Sequence, residues 1–493
     1  MSPRNSVILA LLILVVLGAY FYMGPQKEEE TPVSGPPTLV ALESDQVREI
    51  VIERANGTVI RLERDERAGD GSEAGAGEPA GASASGQGWR LVEPLEWKAD
   101  AMRVSSMLNV LRNLRAVRNV TGQGADGDEE DPEGEAAAVA DPEAYGLANP
   151  SVVITARTAD GEFSLRVGEP TPVGQTVYAQ VAGDPAVYTV SMVDVLPFLD
   201  TVPNYRDRTI VSVASDQARR LQIETANAAV TLEREGDTWN LVEPLHHPAD
   251  PQEVNNLLGP FAFLQAHEFI DNPGSLSEYG LDEPQAVVRL TAGEGEEERT
   301  HVVYIGAALE DERAYVKTDG PTVYVVQLDP EPFAQVSAVG VGLKDIVLTN
   351  DIFTPQIELI SQTGLSLMLI KNEDENRRIT WRRGDGQIVE PSKMTEFLGA
   401  LIAIDSEDLG REVDDVNAVD LNYVTIRMQA PPGESPEGWP RVVRFGRPSA
   451  DGTVEVVVNT RNRVYTTKAE VLETLLERAR DIADTPADED EEE

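Results

Sequence analysis

The side chains best suited to metal binding are few in this sequence, and they are scattered. There is no cysteine, and the four histidines are His246, His247, His267 and His301. A histidine metal site needs side chains that converge, such as two histidines four residues apart on one helix face. His246 and His247 are adjacent and point in different directions, and His267 with Glu268 and Asp271 lacks a second histidine. We therefore predict surface histidines and no metal site.

The sequence also lacks the motifs that are typical of nucleophilic catalysis and of phosphate binding. The absence of cysteine excludes thiolate nucleophiles, zinc–thiolate sites, disulfides and a lipobox cysteine. We find no G-x-S-x-G elbow, no G-x-x-x-x-G-K-[ST] loop and no G-x-G-x-x-G following a strand. The glycine-rich run 69–88 has no basic residue for phosphate, and Gly340 to Lys344 has the wrong spacing. We predict no catalytic residue and no cofactor, and the ligand-binding residues stay unknown.

Carboxylates are in large excess, with 86 acidic against 41 basic residues and a net charge of −45. Such a surface repels nucleic acid phosphates, so we exclude nucleic acid as a partner. The acidic runs 126–135, 293–298 and 488–493 are expected to be solvated loops and a tail. Weak calcium binding is the alternative, although no run has the pattern of a calcium loop. Paired carboxylates for glycoside hydrolysis stay open, because pairing is a three-dimensional property.

An apolar segment at residues 7–23, VILALLILVVLGAYFYM, contains no charge. At about 1.5 Å per residue it just spans a hydrocarbon core of about 30 Å. Arg4 precedes it, and Lys27 followed by three glutamates comes after it, which favours an N-terminus inside and the bulk of the chain outside. A cleaved signal peptide is the alternative, but the run is longer than the usual apolar region of one. We predict an uncleaved single-pass anchor in the cytoplasmic membrane with a periplasmic chain.

An internal repeat is the strongest signal in the rest of the chain. Trp89 begins WRLVEP and Trp239 begins WNLVEP, and each motif follows a pair of alternating apolar and polar strands. A YGL turn follows later in both copies, at 145–147 and 279–281, and leads into further strands that end in VYTV or VYVV. The recurring tryptophan is expected to anchor a helix to the sheet, with sugar binding as the less favoured role.

Helices are predicted directly after each tryptophan motif. In the first copy Asp100 is the expected N-cap, and the apolar positions at helical spacing are Val104, Met107, Leu108, Leu111 and Leu114. In the second, Asp250 is the N-cap and Pro251 the first helical residue, and Pro260 should kink or end the helix. Its expected apolar face is Val254, Leu257, Leu258, Phe261 and Leu264.

A third, degenerate copy begins with Trp381 and the weaker motif Ile388 to Pro391. Ser392 is a possible cap for its helix, and the predicted apolar face consists of Met394, Phe397, Leu398 and Leu401. Strand segments then follow in the same order from Tyr423, and a last helix is predicted at 469–482. The junctions between the copies also correspond to each other, with Tyr205-Arg206-Asp207 before the second copy and Leu343-Lys344-Asp345 before the third. The basic and acidic residues of each junction either tie a closing helix to the next sheet or lie in a solvated turn.

The fold class that follows is α+β, an N-terminal transmembrane helix followed by tandem repeats of mostly antiparallel sheet with packed helices. The predicted organisation is a cytoplasmic N-terminus (1–6), a transmembrane anchor (7–23), a linker (24–38), a first repeat (39–205) with low-complexity insertions at 66–88 and 122–143, a second repeat (206–342), a degenerate third repeat (343–483) and an acidic disordered tail (484–493).

The motifs WxLVEP, YGL…P and VYxV behind a single anchor resemble a bacterial envelope family known only as domain of unknown function 4340. The resemblance implies a companion of ABC-type transporter components, including those similar to gliding-motility export systems, and it supplies no catalytic residue. We expect a non-enzymatic, extracytoplasmic accessory protein that binds the membrane through its N-terminal helix and binds protein partners. The alternative is an envelope glycan-binding or glycan-hydrolysing protein that uses a carboxylate cleft.

Overall fold

A computed structural model describes residues 38–40, 42–65, 88–121, 141–374, 377–431 and 439–485. The predicted anchor 7–23, the N-terminus before it, nearly all of the linker, most of both insertions and the tail from residue 486 lie outside these residues. Among the described residues, no helix is both long and apolar enough to cross a bilayer. The chain divides into two compact units, the first ending at Arg208 and the second beginning at Thr209.

The first unit contains one antiparallel sheet, to which the described residues contribute nine strands. In chain order they are β1 (Val47–Arg54), β2 (Val59–Arg64), β3 (Trp89–Glu93), β4 (Trp97–Lys98), β5 (Arg118–Asn119), β6 (Val152–Thr158), β7 (Glu162–Pro170), β8 (Thr176–Val181) and β9 (Tyr188–Ser191). The helices are α1 (Ala101–Asn113) and α2 (Met192–Leu199). Their buried residues join those of the strands in one hydrophobic cluster.

The second unit begins with a sheet of ten strands within the described range. They are β10 (Thr209–Val211), β11 (Ala218–Glu224), β12 (Ala229–Glu235), β13 (Thr238–Glu243), β14 (His247–Pro248), β15 (Leu264–Ile270), β16 (Ala286–Ala292), β17 (Arg299–Leu309), β18 (Arg313–Lys317) and β19 (Val323–Gln327). Its helices are α3 (Pro251–Leu258), α4 (Glu331–Ala334) and α5 (Ala338–Val341).

The second unit also contains a third sheet, for which the described residues give eight strands. They are β20 (Gln356–Ser361), β21 (Ser366–Glu373), β22 (Ile379–Arg383), β23 (Arg411–Glu412), β24 (Val424–Met428), β25 (Arg441–Phe445), β26 (Thr453–Val458) and β27 (Arg463–Lys468). The helices α6 (Pro391–Ile402) and α7 (Ala469–Ala483) cover one face of this sheet through a shared apolar cluster.

The three sheets have the same strand order. From the tryptophan strand outward, the first runs β3-β2-β1-β6-β7-β8-β9-β5 and the second β13-β12-β11-β16-β17-β18-β19-β15. The third runs β22-β21-β20-β24-β25-β26-β27-β23, so each of these eight strands has a counterpart in the other two sheets, while β4, β10 and β14 are additional edge strands. The α+β class with mostly antiparallel sheets is therefore confirmed.

The helix starts follow the predicted caps in two of three cases. The Asp100 carboxylate accepts a hydrogen bond from the Arg103 amide at 2.7 Å, and Asp250 caps α3 in the same way. The helix α3 ends at Leu258 before Pro260, as predicted, but Leu264 was wrongly assigned to it and begins β15. Ser392 is not a cap: Pro391 takes the first helical position, so the cap falls at Glu390.

The tryptophans are core residues in two of the three sheets. Trp89 and Trp381 are buried in the clusters that join each sheet to its helices, as predicted. Trp239 is only half-buried. The packing role is therefore confirmed for the first and third tryptophans and is weaker for the second.

The YGL turns owe their sequence to backbone geometry. Gly146 and Gly280 adopt φ values of +69° and +64°, which residues with a Cβ rarely adopt. The turn packs against a glycine of a neighbouring strand, Gly168 of β7 in the first sheet. A Cβ added to Gly168 would lie 2.1 Å from the carbonyl oxygen of Tyr145, and Gly306 stands in the same position in the second sheet.

Candidate functional site

The four histidines occupy different strands and loops of the second sheet. His246 and His267 are exposed, and His301 is half-buried. In the part of the chain that the structure describes, no group of three or more histidines and carboxylates could hold a metal ion. His247 departs from the predicted surface position, because its side chain is buried.

His247 lies where the second and third sheets meet within the second unit. Its Nε2 is 2.9 Å from the carbonyl oxygen of Leu343, and its ring meets the Tyr465 ring edge-on with centroids 5.9 Å apart. Burial lowers the pKa of the imidazole, the Leu343 carbonyl opposes that shift, and the guanidinium groups of Arg461 and Arg463 lower it further. Burial and the two guanidinium groups thus favour the neutral form of the imidazole.

Two arginines of the third sheet complete this contact region, which we call the seam. Arg461 donates to the carbonyl oxygen of Asp345 at 2.8 Å, and Arg463 donates to that of Leu409 at 2.6 Å. Asp345 follows the junction residue Lys344, and burial raises the pKa of its carboxyl. The second junction is therefore a partly buried tie between the two sheets, made through the carbonyl oxygens of Leu343 and Asp345. At the first junction the Asp207 carboxylate pairs with Lys98 of β4 at 2.7 Å.

Each unit has a cavity on its described surface. The first, in the first unit, measures about 330 Å³ and is lined by Asp100, Met102, Arg103, Ser106, Asn204 and Arg208. The second measures about 520 Å³ and is lined by Asp216, Arg219, Arg234, Gly236, Asp237 and Glu294. Both linings are dominated by charged and polar side chains, unlike the mostly apolar lining of typical small-molecule sites.

The carboxylates of the larger cavity are held by arginines at the surface. Arg219 pairs with Glu294, and Arg234 lies 3.8 Å from Asp237. Both of these carboxylate side chains are strongly exposed, so water and a guanidinium stabilise their charge. A general acid for glycoside hydrolysis needs the opposite environment, one that keeps a carboxyl protonated.

The outer face of the third sheet carries a set of exposed apolar side chains that we call the sheet patch. Its members are Ile360, Met368 and Ile388, which are 43%, 38% and 53% exposed. Glu358 of β20 pairs with Met368 of β21, which places Ile360 on the diagonal from Met368. Gly384, which directly follows β22, lies beside Met368 and leaves the flank of that side chain open, because glycine has no side chain.

The corresponding faces of the other two sheets are charged. Arg157 of the first sheet binds Glu49 at 2.8 Å, and Arg220 of the second binds Glu233 at the same distance. Among the described strand residues, every large apolar side chain that is exposed belongs to the third sheet. The sequence prediction missed this patch, although the outward positions of SLMLIK, which hold Ser366, Met368 and Ile370, carried a signal for it.

A second apolar surface lies on the first unit, and we call it the helix patch. Val193, Leu196 and Leu199 recur along one side of α2 and are exposed, Leu196 by 53%. Met102 at the start of α1 is 85% exposed. A surface helix is normally polar on the side away from the core. The α2 helix departs from this rule, because its solvent-facing side is apolar, and such exposed apolar surfaces mark contact sites.

Comparison with known proteins places the chain by family. A family model described as Domain of unknown function (DUF4340) matches residues 89–271 and 239–423. The two matches overlap and together run from Trp89 in the first sheet to Tyr423, which directly precedes β24 in the third. No curated protein matches the sequence.

Proposed function

We propose that this chain, which belongs to the family Domain of unknown function (DUF4340), is a non-enzymatic interaction protein held outside the cytoplasmic membrane by the segment 7–23. The charge-free run VILALLILVVLGAYFYM and the basic residue before it support the anchor and its orientation. The three sheets then serve as a platform for protein partners, since repeated units form extended binding surfaces.

The sheet patch is the observation that carries this proposal. The three sheets share one topology, yet among the described strand residues only the third sheet carries large apolar side chains that are exposed. The contact of apolar side chains with water is unfavourable, so their burial by a partner stabilises a complex. Clusters of exposed apolar side chains therefore mark binding surfaces. The Glu358–Arg427 pair at 3.4 Å flanks the patch, giving the apolar centre and polar rim of a protein interface.

The partner that we propose is a subunit of an ABC-type transport or envelope complex. The support for this class is the family resemblance together with the membrane anchor, which would hold the chain beside such a complex. The sheet patch would take an apolar surface of that subunit outside the membrane, and rim contacts would set its orientation.

Co-purification tests the proposal. The full chain, tagged and expressed in its native membranes, is extracted with mild detergent, and bound proteins are identified by mass spectrometry. Wild type should bring down a permease or ATPase subunit, Met368→Glu should lose it, and Val173→Glu, a loop control, should keep it. Recovery of the chain without a transport or envelope subunit would overturn the proposal. The same is true if Met368→Glu, with an unchanged unfolding transition, retains the subunit in full.

A further inference from the structure

The helix patch belongs to a helix that is apolar on both sides. Val195 and Phe198 of α2 are buried against the sheet, while Val193, Leu196 and Leu199 face away from it. The exposed three are spaced three residues apart, so they form one stripe along the helix. Nothing in the packing of the first sheet requires these outward side chains to be apolar, and this points to an external contact.

An ion pair joins the ends of the two helices that form the patch. Arg103 at the start of α1 lies 2.6 Å from Asp200, which follows the last residue of α2. This pair brings the N-terminal end of α1, where Met102 is exposed, to the C-terminal end of α2, where Leu199 is exposed. The two charges beside the patch cancel each other, which lowers the cost of moving them toward an apolar phase.

The length of chain before the first unit decides what can cover the patch. Between Met23 and Thr38 lie 38 − 23 = 15 residue steps, which span at most about 50 Å when extended. Thr38 bridges to Arg115, just beyond the C-terminal end of α1, and α1 itself is about 20 Å long. A first unit tethered by this linker can therefore turn the start of α1 and the whole of α2 toward the bilayer.

The position of the patch, not its composition, favours lipid over protein. Its members are two leucines, a valine and a methionine, as aliphatic as those of the sheet patch, but they lie on the unit that follows segment 7–23 directly. A second copy of this chain is disfavoured because each copy carries a net charge of −45. The same charge disfavours anionic lipids, so zwitterionic lipid is the expected surface.

We propose that the helix patch of the first unit rests in the interfacial layer of the bilayer to which segment 7–23 anchors the chain. This inference rests on the proposed function, because it requires the anchor. It adds a second, monotopic membrane contact, which would fix the orientation of the first sheet relative to the bilayer. The sheet patch is carried on a different unit and serves a different ligand.

The absence of native cysteine allows a clean test with single labels. The full chain carrying Leu196→Cys is coupled to an environment-sensitive fluorophore and reconstituted in phosphatidylcholine vesicles with or without brominated lipid. Val193→Cys provides a second position on the same stripe. Val173→Cys, 87% exposed on a loop of the same unit, is the matched control. We expect a blue-shifted emission and at least twofold quenching by brominated lipid at 193 and 196, and neither effect at 173.

Three outcomes would overturn the inference in distinguishable ways. If the chain floats with the vesicles but positions 193 and 196 behave like 173, the anchor stands and the bilayer contact is wrong. If those positions shift to the blue without quenching by brominated lipid, a protein surface or a second copy covers the patch. If the chain does not float with the vesicles at all, the anchor fails and the proposed function fails with it.

Discussion

The imidazole of His247 meets the phenol ring of Tyr465 edge-on, with the ring planes inclined at 63°. His247 begins β14, an edge strand of the second sheet, and Tyr465 lies in β27 of the third. Aromatic pairs in this geometry contribute about 0.5–1.5 kcal/mol beyond the area they bury. The seam therefore fixes the two sheets of the second unit against each other through side chains that lie more than 200 positions apart in the sequence.

The stability of the second unit should fall in mild acid because of His247. Its pKa in the fold lies below that of the unfolded chain, so the unfolded chain binds a proton first as the pH falls. Stability is therefore complete above about pH 6.5 and is lost as the pH falls from there toward the lowered value, by up to about 1.4 kcal/mol per pH unit. Urea unfolding of wild type and His247→Gln at several pH values measures this slope.

The exposed His246 provides the control for that experiment. His246→Gln should keep the wild-type dependence on pH, whereas His247→Gln should reduce its slope. Burial also lowers the pKa of His301, so part of the slope should persist in His247→Gln and disappear only when His301 is replaced as well. An unchanged slope in His247→Gln would mean that the seam does not control acid stability.

The truncation Tyr465→Ala should destabilise the second unit strongly. Its side chain is fully buried, and removing a large buried aromatic costs about 3–5 kcal/mol. Tyr465→Phe keeps the ring against His247 and should cost less than about 1.5 kcal/mol. Equilibrium urea unfolding of the two variants gives both values, and equal losses would show that the hydroxyl, not the ring, stabilises the seam.

Gly168, near the end of β7, should not tolerate a side chain. Gly168→Ala places a Cβ 2.1 Å from the Tyr145 carbonyl oxygen, and such overpacking typically costs about 1–3 kcal/mol. Gly161→Ala is the matched control, since nothing lies within 4 Å of the added atom. Thermal unfolding should separate the two variants by several degrees, and coincident transitions would contradict the packing argument.

The larger cavity should have no hydrolytic activity toward envelope glycans. Asp237 and Glu294 are exposed and held by arginines, so neither has the buried environment of a general acid. Incubation of purified full chain with peptidoglycan and other envelope glycans should release no reducing ends above a no-protein control. Release that disappears in Asp237→Asn with Glu294→Gln would establish the glycan alternative instead.

The local part of this fold is predictable from sequence, because it depends on neighbours in the chain. Asp100 and Asp250 directly precede segments with apolar residues at helical spacing, which predicts them as N-caps. The glycine of each YGL motif predicts a turn with positive φ, which Gly146 and Gly280 adopt. The error at Ser392 was avoidable, since Pro391 favours the first helical position and moves the cap to Glu390.

The seam and the sheet patch depend on contacts between residues that are distant in the sequence, so local sequence patterns do not predict them. The burial of His247 depends on Leu343, which is 96 positions away. The exposure of Met368 depends on the register between β20 and β21 and on which face α6 and α7 cover. A strand pattern alone shows that alternate residues share a face, but it does not decide which face meets water.

The central claim is that the sheet patch binds a subunit of a membrane transport or envelope complex, and site-specific photo-crosslinking in intact cells tests it most directly. A photoreactive amino acid is placed at Met368 of the full chain, and a second strain carries it at Val173 as the control. We predict a crosslinked product at position 368 that contains a permease, ATPase or other envelope-complex subunit, and no such product at position 173. The absence of a product at 368, or the same product from both positions, would contradict the account.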